Sequence, residues 1–414
     1  MAGLQRVRGT QDILPAAMRR HRLVIDTARV NAERYRFEEM ATPIFEFTEV
    51  FSRPIGEATD IVAKEMYTFT DGDDEITLRP ENTAAVARAA ISNGLLQELP
   101  LRYFYAGPMF RHERPQALRY RQFHQVGVEL IGIAEPMADI EVVALGVDIL
   151  NDLGVLKHTE LQINTLGDQE SRDAYRARLR RFYTAHHASL SEDSRRRLEL
   201  NPLRILDSKN PGDIAINAEA PSFADDLTER ARRFFEEVRA GLDALDIAYK
   251  VNPRLVRGLD YYCHTAFEFV TTDLGAQGTV LGGGRYDGLM ALMGGPPTPG
   301  VGWAAGVERL ASLIAEPPPP SRPIALIALG AAAEARALLL AHELRRAGFS
   351  VDALSGGNLA KRLRRANKMK ASAAVILGED ELARGAAGVR DLDSGEQVEV
   401  ALPALQEALA RLRR

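Results

Sequence analysis

The chain has 414 residues, enough for two or three domains and a sizeable core. A hydrophobic share of 46% with 26% charged residues excludes a largely disordered chain, and a formal charge of −5 excludes binding nucleic acid through global charge. The single cysteine, Cys263, excludes an internal disulfide and a cysteine-rich zinc site, and His264 beside it leaves too few donors for a metal.

Met18, Ile25, Ala28, Ala32 and Tyr35 space out an amphipathic helix behind Pro15. Leu101 to Ala106 is aromatic and β-prone, and Gln122 to Ile131 alternates. The charged, Pro-containing stretch 110–121 joins them into a hairpin of unusual length. On the second strand, period two puts His124, Val126, Val128 and Leu130 on one face and Phe123, Gln125, Gly127 and Glu129 on the other. That second face suits a pocket floor, or a sheet side open to water. Ile140, Val143, Ala144, Val147 and Leu150 form another helix, stopped by Gly154.

Between about Asp168 and Asp246 the pattern is helical and highly charged, as in an inserted helical subdomain; its Arg195-Arg196-Arg197 and His186-His187 fit solvated surface. Gly282-Gly283-Gly284-Arg285 lacks the Lys-Ser/Thr of a P-loop, and no GxGxxG opens a helix, so the common nucleotide-binding loops are unsupported. Gly300, Gly302 and Gly306 lead from a strand into a helix carrying Glu308-Arg309.

Four prolines in 316–321 mark a semi-rigid linker. Beyond it, strands at 324–329, 349–354 and 373–377 alternate with helices ending at Arg346 and Lys370, a small α/β domain. From Arg322 onward there are 15 basic and 11 acidic residues, against 37 and 46 before it. Lys361, Arg364, Arg365 and Lys368 fall on one helix face, which is either solvated surface or a phosphate-contacting patch. Arg111, Arg119, Arg257 and Arg309 punctuate the candidate pocket elements. Each alone is by default a surface charge, but several guanidinium forks around one anion suggest a triphosphate site.

These segments resemble those of a class II aminoacyl-tRNA synthetase, and within that class the histidyl-tRNA synthetase family. The similar stretches are 8–13, the region around Pro43, Phe110-Arg111-His112-Glu113 with Arg119 to Phe123, and Gly302 to Arg309, with Ala304 where the class pattern prefers glycine. Arg257 to Tyr262 and Leu281 to Gly288 resemble the two segments peculiar to the histidine enzymes, and Gly356-Gly357-Asn358 before the basic helix resembles an anticodon-binding domain.

The resemblance implies an α+β catalytic domain with an antiparallel sheet over 1–316, carrying the helical insertion at about 168–246. A linker at 317–321 and an α/β anticodon-binding domain at 322–414 follow. It implies ATP-dependent activation of L-histidine to histidyl-adenylate and transfer to the 3′ end of tRNA(His), by a homodimer. The lack of any apolar run of roughly 18–20 residues, and of an apolar stretch within Met1 to Thr10, points to a cytoplasmic protein with no membrane segment. Glu81 and Thr83 would hold the ammonium end, with Asn82 contributing backbone only; Gln125, Glu129, Tyr261 and Tyr262 would line the imidazole pocket. Arg111, Arg119 and Arg309 would contact the ATP phosphates, with Glu113 near the adenine and Phe123 stacking on it. Histidine's own ionised carboxylate attacks the α-phosphorus without a general base. Arg111 and Arg257 at both the amino acid and the reacting phosphate, Arg309, and Mg²⁺ on the phosphates rather than in a protein-built metal site, would stabilise charge. Gln116 would meet the acceptor end, and Lys361, Arg364, Arg365 and Lys368 the anticodon. The alternative is a non-catalytic, synthetase-like regulatory subunit of histidine biosynthesis, in which pocket residues and the tail domain would be lost.

Overall fold

The computed structural model describes residues 3–55, 59, 61–206, 208–256, 261–275, 278–317 and 319–412. They divide into two compact units, Met1–Pro317 and Pro318–Arg414. The first is mixed α+β around an eight-stranded sheet. In space its strands run Glu38–Glu39, Leu101–Phe110, Gln122–Ile131, Gly300–Gly306, Thr279–Arg285, Cys263–Val270, Glu160–Thr165 and Lys250–Val251. The central six are antiparallel, and the two short outer strands pair in parallel.

The first hairpin strand continues beyond Ala106 to Phe110, through Gly107-Pro108. Direction makes this possible. The Pro108 carbonyl accepts from Arg79 Nε at 2.9 Å, and Phe110 N donates to Arg79 O at 3.0 Å, so both positions face away from the partner strand. The N–H that proline lacks would have pointed outward too, and the ladder keeps all its bonds.

The sheet's two faces differ. Val126, Val128 and Leu130 join Phe267, Phe269 and Trp303 in a core covered by helices Pro15–Arg34, Pro136–Asp152, Glu229–Ala244 and Val307–Leu313. Ala28 and Ala32 of the first helix are buried there as the spacing requires, joined by Val24 from outside the expected stripe, while Ile25 and Tyr35 are half-buried and Met18 is exposed. Against the other face lies helix Thr83–Ser92, whose Ala84, Ala85, Val86, Ala87 and Ala90 are buried among Tyr105, Met109, Tyr261, Tyr262 and Tyr286.

Helices Gln169–Ala185, Glu192–Leu200, Pro211–Asn217 and Glu229–Ala244 fill 168–246 around a small core of Tyr175, Leu179, Tyr183 and Leu198; no strand interrupts them among the described residues. A separate three-stranded sheet, Phe45–Phe47, Asp74–Leu78 and Tyr67–Asp71, leaves Phe45, Phe47 and Phe69 exposed.

The second unit is α/β, with sheet order Val351–Leu354, Ile324–Ala328, Ala373–Leu377, Ala386–Asp391, Gln397–Ala401. The first three strands are parallel and the last two antiparallel. Gln397–Ala401 escapes a hydrophobic-run reading because it is an edge strand, exposed along most of its length. On helix Leu359–Lys368, Lys361, Arg364, Arg365 and Lys368 are exposed. Arg362 instead turns inward, with Nε donating to Gly357 O at 3.0 Å and Nη1 to Ala328 O. Among the described residues no helix is long and apolar enough to cross a membrane.

Candidate active site

The open end of the hairpin forms a cavity of about 200 Å³ between strand Gln122–Ile131, strand Thr279–Arg285 and the start of helix Val307–Leu313. Glu81, Thr83, Arg111, Glu113, Arg119, Phe123, Gln125, Tyr261, Tyr262 and Arg309 all line it.

Glu129, 1% exposed, does not itself line the cavity but is buried behind it, bonded to the lining residue Thr83. Of the face carrying Phe123, Gln125, Gly127 and Glu129, the first two line the cavity and Glu129 is buried behind them, so this is not a wet sheet surface. Thr83 Oγ1 donates to Glu129 Oε1 at 2.6 Å, the Tyr286 hydroxyl donates to Oε2, and Tyr105 Oη lies 3.4 Å from Oε1. Burial pushes the Glu129 carboxyl up to about 8, against the lowering effect of the Thr83 and Tyr286 hydrogen bonds. Burial thus favours the neutral, protonated form of this side chain.

Glycines make room for this cluster. Gly302 pairs directly with Glu129, and a Cβ there would lie 2.0 Å from Glu129 Oε2. Gly127 pairs with Tyr105, and its Cβ would meet the phenol at 2.3 Å. Gly284 likewise admits Tyr262, whose Cδ1 would lie 3.0 Å from a Cβ.

At the rim, Glu81 accepts from Thr83 N at 2.8 Å and Ala84 N at 2.9 Å, capping helix Thr83–Ser92. Burial raises its pKa despite those amides and the nearby Arg111 charge. Asn82 departs from its neighbours. Its Oδ1 accepts from Thr42 Oγ1 at 2.8 Å and Arg79 Nη1 at 3.2 Å, its backbone oxygen receives Val86 N inside the helix, and it does not line the cavity.

Arg111, Arg119 and Arg309 converge on the opposite rim. Arg111 Nε donates to Pro80 O at 2.9 Å, and its guanidinium lies 5.3 Å from the Phe123 ring centre. Arg309 Nη1 donates to Thr279 O at 2.6 Å. Burial, followed by the charges of Arg119 and Arg111, lowers the Arg309 pKa, the signature of like charges gathered in one place. Glu113 is ion-paired with Arg119. Gln116 is exposed in the loop, its backbone bridged to Arg119. Arg257 lies outside the described residues.

The carboxylates here are committed: Glu81 to a helix end, Glu113 to Arg119, Glu129 to hydroxyls, and Glu308 to His124 N at 3.0 Å and Nδ1 at 2.9 Å. His21, His124 and Glu308 have donor atoms within 4.8 Å of one another, but the Glu308–His124 bonds already occupy that carboxylate.

Tyr105 and Tyr286 are the site members that sequence reasoning passed over. The signal for Tyr105 was its place on the hairpin opposite Gly127, the one position on the floor with no side chain. A larger, basic cavity of about 680 Å³ adjoins the site, sharing Arg119 and Tyr262 and lined also by Arg172, Arg176, Arg197 and Lys209.

A family model described as histidyl-tRNA synthetase matches residues 9–310, and one described as an anticodon binding domain matches residues 324–412. A histidine–tRNA ligase of Rhodospirillum rubrum is 60% identical over 413 residues, covering 99% of this chain and 100% of that protein. One of Gluconacetobacter diazotrophicus is 54% identical, covering 100% of both. The crystal structure of apo histidyl-tRNA synthetase from S. aureus superposes with a TM-score of 0.83 at 35% identity, covering 98% of this chain and 99% of that one.

Proposed function

The chain belongs to the histidyl-tRNA synthetase family, and from that premise we propose how its own residues carry out the reaction. It is a histidine–tRNA ligase: an ATP-dependent enzyme whose substrates are L-histidine, ATP and tRNA(His). The tail domain matched over 324–412 argues against the regulatory-subunit reading.

One observation carries the assignment of roles. Three guanidinium groups from separate chain segments, Arg111, Arg119 and Arg309, share one cavity with Gln125, Thr83 and the tyrosine pair 261–262, and Thr83 is bonded to the buried carboxyl of Glu129 behind it. The imidazole is placed against Glu129, Gln125, Tyr261 and Tyr262. Gln125 Oε1 and the Tyr261 hydroxyl are buried without a hydrogen-bond partner among the described residues, so a side chain unable to satisfy them is rejected at the full desolvation cost. Glu81 and Thr83 line the ammonium end.

ATP is laid against Phe123, with its phosphates among Arg111, Arg119 and Arg309. Binding must displace Arg111 from the Phe123 face and loosen the Arg119–Glu113 pair, which exchanges two internal interactions for interactions with substrate. The histidine carboxylate then attacks the α-phosphorus in line and pyrophosphate leaves. The nucleophile is already ionised, so the protein contributes orientation and charge stabilisation. Arg257 keeps the role its family segment gives it, at the carboxylate and α-phosphate. Mg²⁺ would enter with the ATP phosphates. Transfer to the tRNA terminal hydroxyl follows, with Gln116 toward the acceptor end and Lys361, Arg364, Arg365 and Lys368 toward the anticodon.

The working unit is a homodimer in the cytoplasm, where its tRNA substrate is found. Supporting the dimer, Phe45, Phe47 and Phe69 are 56%, 58% and 47% exposed on one face of a three-stranded sheet, with Ile76 between the last two in register.

The test is ATP–pyrophosphate exchange with a panel of amino acids. A response to histidine alone is expected; exchange with another amino acid, or with none, overturns the pocket assignment.

A further inference from the structure

The histidine pocket is braced from outside the sheet. The Tyr262 carbonyl accepts a hydrogen bond from Arg172 Nη1 at 2.6 Å, and Arg172 belongs to the first helix of the 168–246 insertion. Two residues later, His264 adopts φ +43°, the left-handed region that a side chain rarely occupies unless its surroundings impose it.

The strand is irregular at the same place. Gly284 pairs with Ala266, but Arg285 pairs with Cys263, so His264 and Thr265 are extra residues on one side of the ladder. Such a bulge re-aims the side chains next to it, and the residues next to it are Tyr261 and Tyr262.

The insertion holds this bulge from two sides. His264 N donates to Gly167 O at 2.8 Å and its carbonyl receives Leu166 N at 2.6 Å, fixing it to the segment that leads into the first insertion helix. Its ring packs on Phe234, 4.5 Å between centres, from the last insertion helix, Glu229–Ala244. Phe234 in turn lies 5.0 Å from the guanidinium of Arg285, which is fully buried and bonded to Asp139, Asp287 and the Ile133 carbonyl. The two insertion helices are tied to each other at Asp168, which caps Ser171 N at 2.9 Å and accepts from Thr228 Oγ1 at 2.7 Å.

We propose that Arg172 is a positioning residue for histidine recognition: it holds the Tyr262 backbone, and with the Phe234–His264 contact it makes the helical insertion the rear support of the imidazole pocket. This rests on the reading of Tyr262 as a wall of that pocket. Arg172 does not line the cavity that Gln125, Tyr261 and Tyr262 line, so its effect reaches the amino acid through Tyr262.

The experiment uses the full-length enzyme in pyrophosphate exchange, with histidine and ATP varied separately, for Arg172→Ala, Arg172→Lys and Phe234→Leu, and with Tyr262→Ala as control; circular dichroism and thermal unfolding verify folding. Arg172→Ala is expected to raise KM for histidine at least tenfold with KM for ATP within twofold. Arg172→Lys, which still donates to the carbonyl, returns most of the loss, and Phe234→Leu shows the same split at smaller size. A folded Arg172→Ala enzyme with histidine KM within twofold of wild type overturns the proposal. So does an equal rise in both KM values, or a defect confined to tRNA charging, which would assign Arg172 to the basic cleft. If Tyr262→Ala also leaves histidine KM unchanged, it is the pocket reading itself that fails.

Discussion

Gly302 stands directly across the ladder from Glu129, close enough that the hydrogen atom on its Cα is the largest substituent the carboxylate allows. The distance from an added Cβ to Oε2 would be 2.0 Å, against backbone strands that cannot separate without breaking the central sheet. The same Cβ would lie 2.3 Å from the Val128 carbonyl oxygen, so Gly302→Ala has to shift the neighbouring backbone as well as displace Glu129 and its bonds from Thr83 and Tyr286. We expect a stability loss of about 1–3 kcal/mol from overpacking, measured by urea denaturation. Histidine-dependent exchange should fall far more steeply than that loss suggests, because the carboxyl is moved from the imidazole site. Unaltered KM for histidine would show that Glu129 does not read the side chain.

Glu129 also gives a pH signature. Its carboxyl has an ordinary value of 4.5 and is raised to about 8 in the folded chain. The native state thus binds more protons than the unfolded one between those limits, and stability falls as pH rises from about 4.5 to about 8. Below 4.5 the contribution is fully present; above 8 it is gone. Glu129→Gln removes the titration. The difference in unfolding free energy between wild type and variant should therefore slope with pH across this window, approaching one proton, and flatten outside it. Histidine kcat/KM in the variant should drop roughly a hundredfold, the scale of one unpaired buried polar group at a recognition site, while KM for ATP holds.

How much of this could be read from residues alone depends on the range of the cause. Period-two alternation at 123–130 separated core valines from the site face, because a strand's pleat is a local property. The helices at Pro15 and around Ile140 followed from spacing in the same way. Whether the Gln125–Glu129 face was wet or buried could not be read locally, since it depends on Gly302, 173 positions away, leaving room for the carboxylate. Arg362 shows the reverse failure. It looks like one more cation in a basic helix, yet its guanidinium is spent on Gly357 O and Ala328 O, partners set by the tertiary fold. Asn82, flanked by two cavity residues, is turned away by Thr42 and Arg79 for the same reason.

The exposed phenylalanine face gives a prediction about assembly. Phe47 stands opposite Ile76, which stands opposite Phe69, an apolar row across all three strands. Phe47→Glu puts a charge at one end of it, beside Phe45. Burying that charge costs several kcal/mol, so sedimentation equilibrium should report a shift from dimer to monomer, with secondary structure unchanged because Phe47 is more than half exposed in the single chain. A variant that sediments like the wild type places the dimer interface elsewhere.

The basic helix of the second unit separates binding tRNA from making adenylate. Lys361, Arg364, Arg365 and Lys368 are exposed together, whereas Arg362, anchored inward, fixes the helix to the sheet. Replacing the exposed four by alanine, with Arg362 kept, costs one side-chain bond to the fold, Arg365 to Ser355 O at 2.8 Å, and one within the helix, Arg364 to Ala360 O at 3.4 Å. The unit should stay folded. Each cation withdrawn from a phosphate lowers the salt dependence of tRNA binding by somewhat less than one unit of log–log slope. The fourfold variant should therefore bind tRNA(His) more weakly at low salt and show a slope shallower by about two to four units, while histidine-dependent pyrophosphate exchange matches wild type. An unchanged slope would make the four side chains ordinary solvated surface. An equal loss of exchange would mean that the helix supports the catalytic unit and not the tRNA.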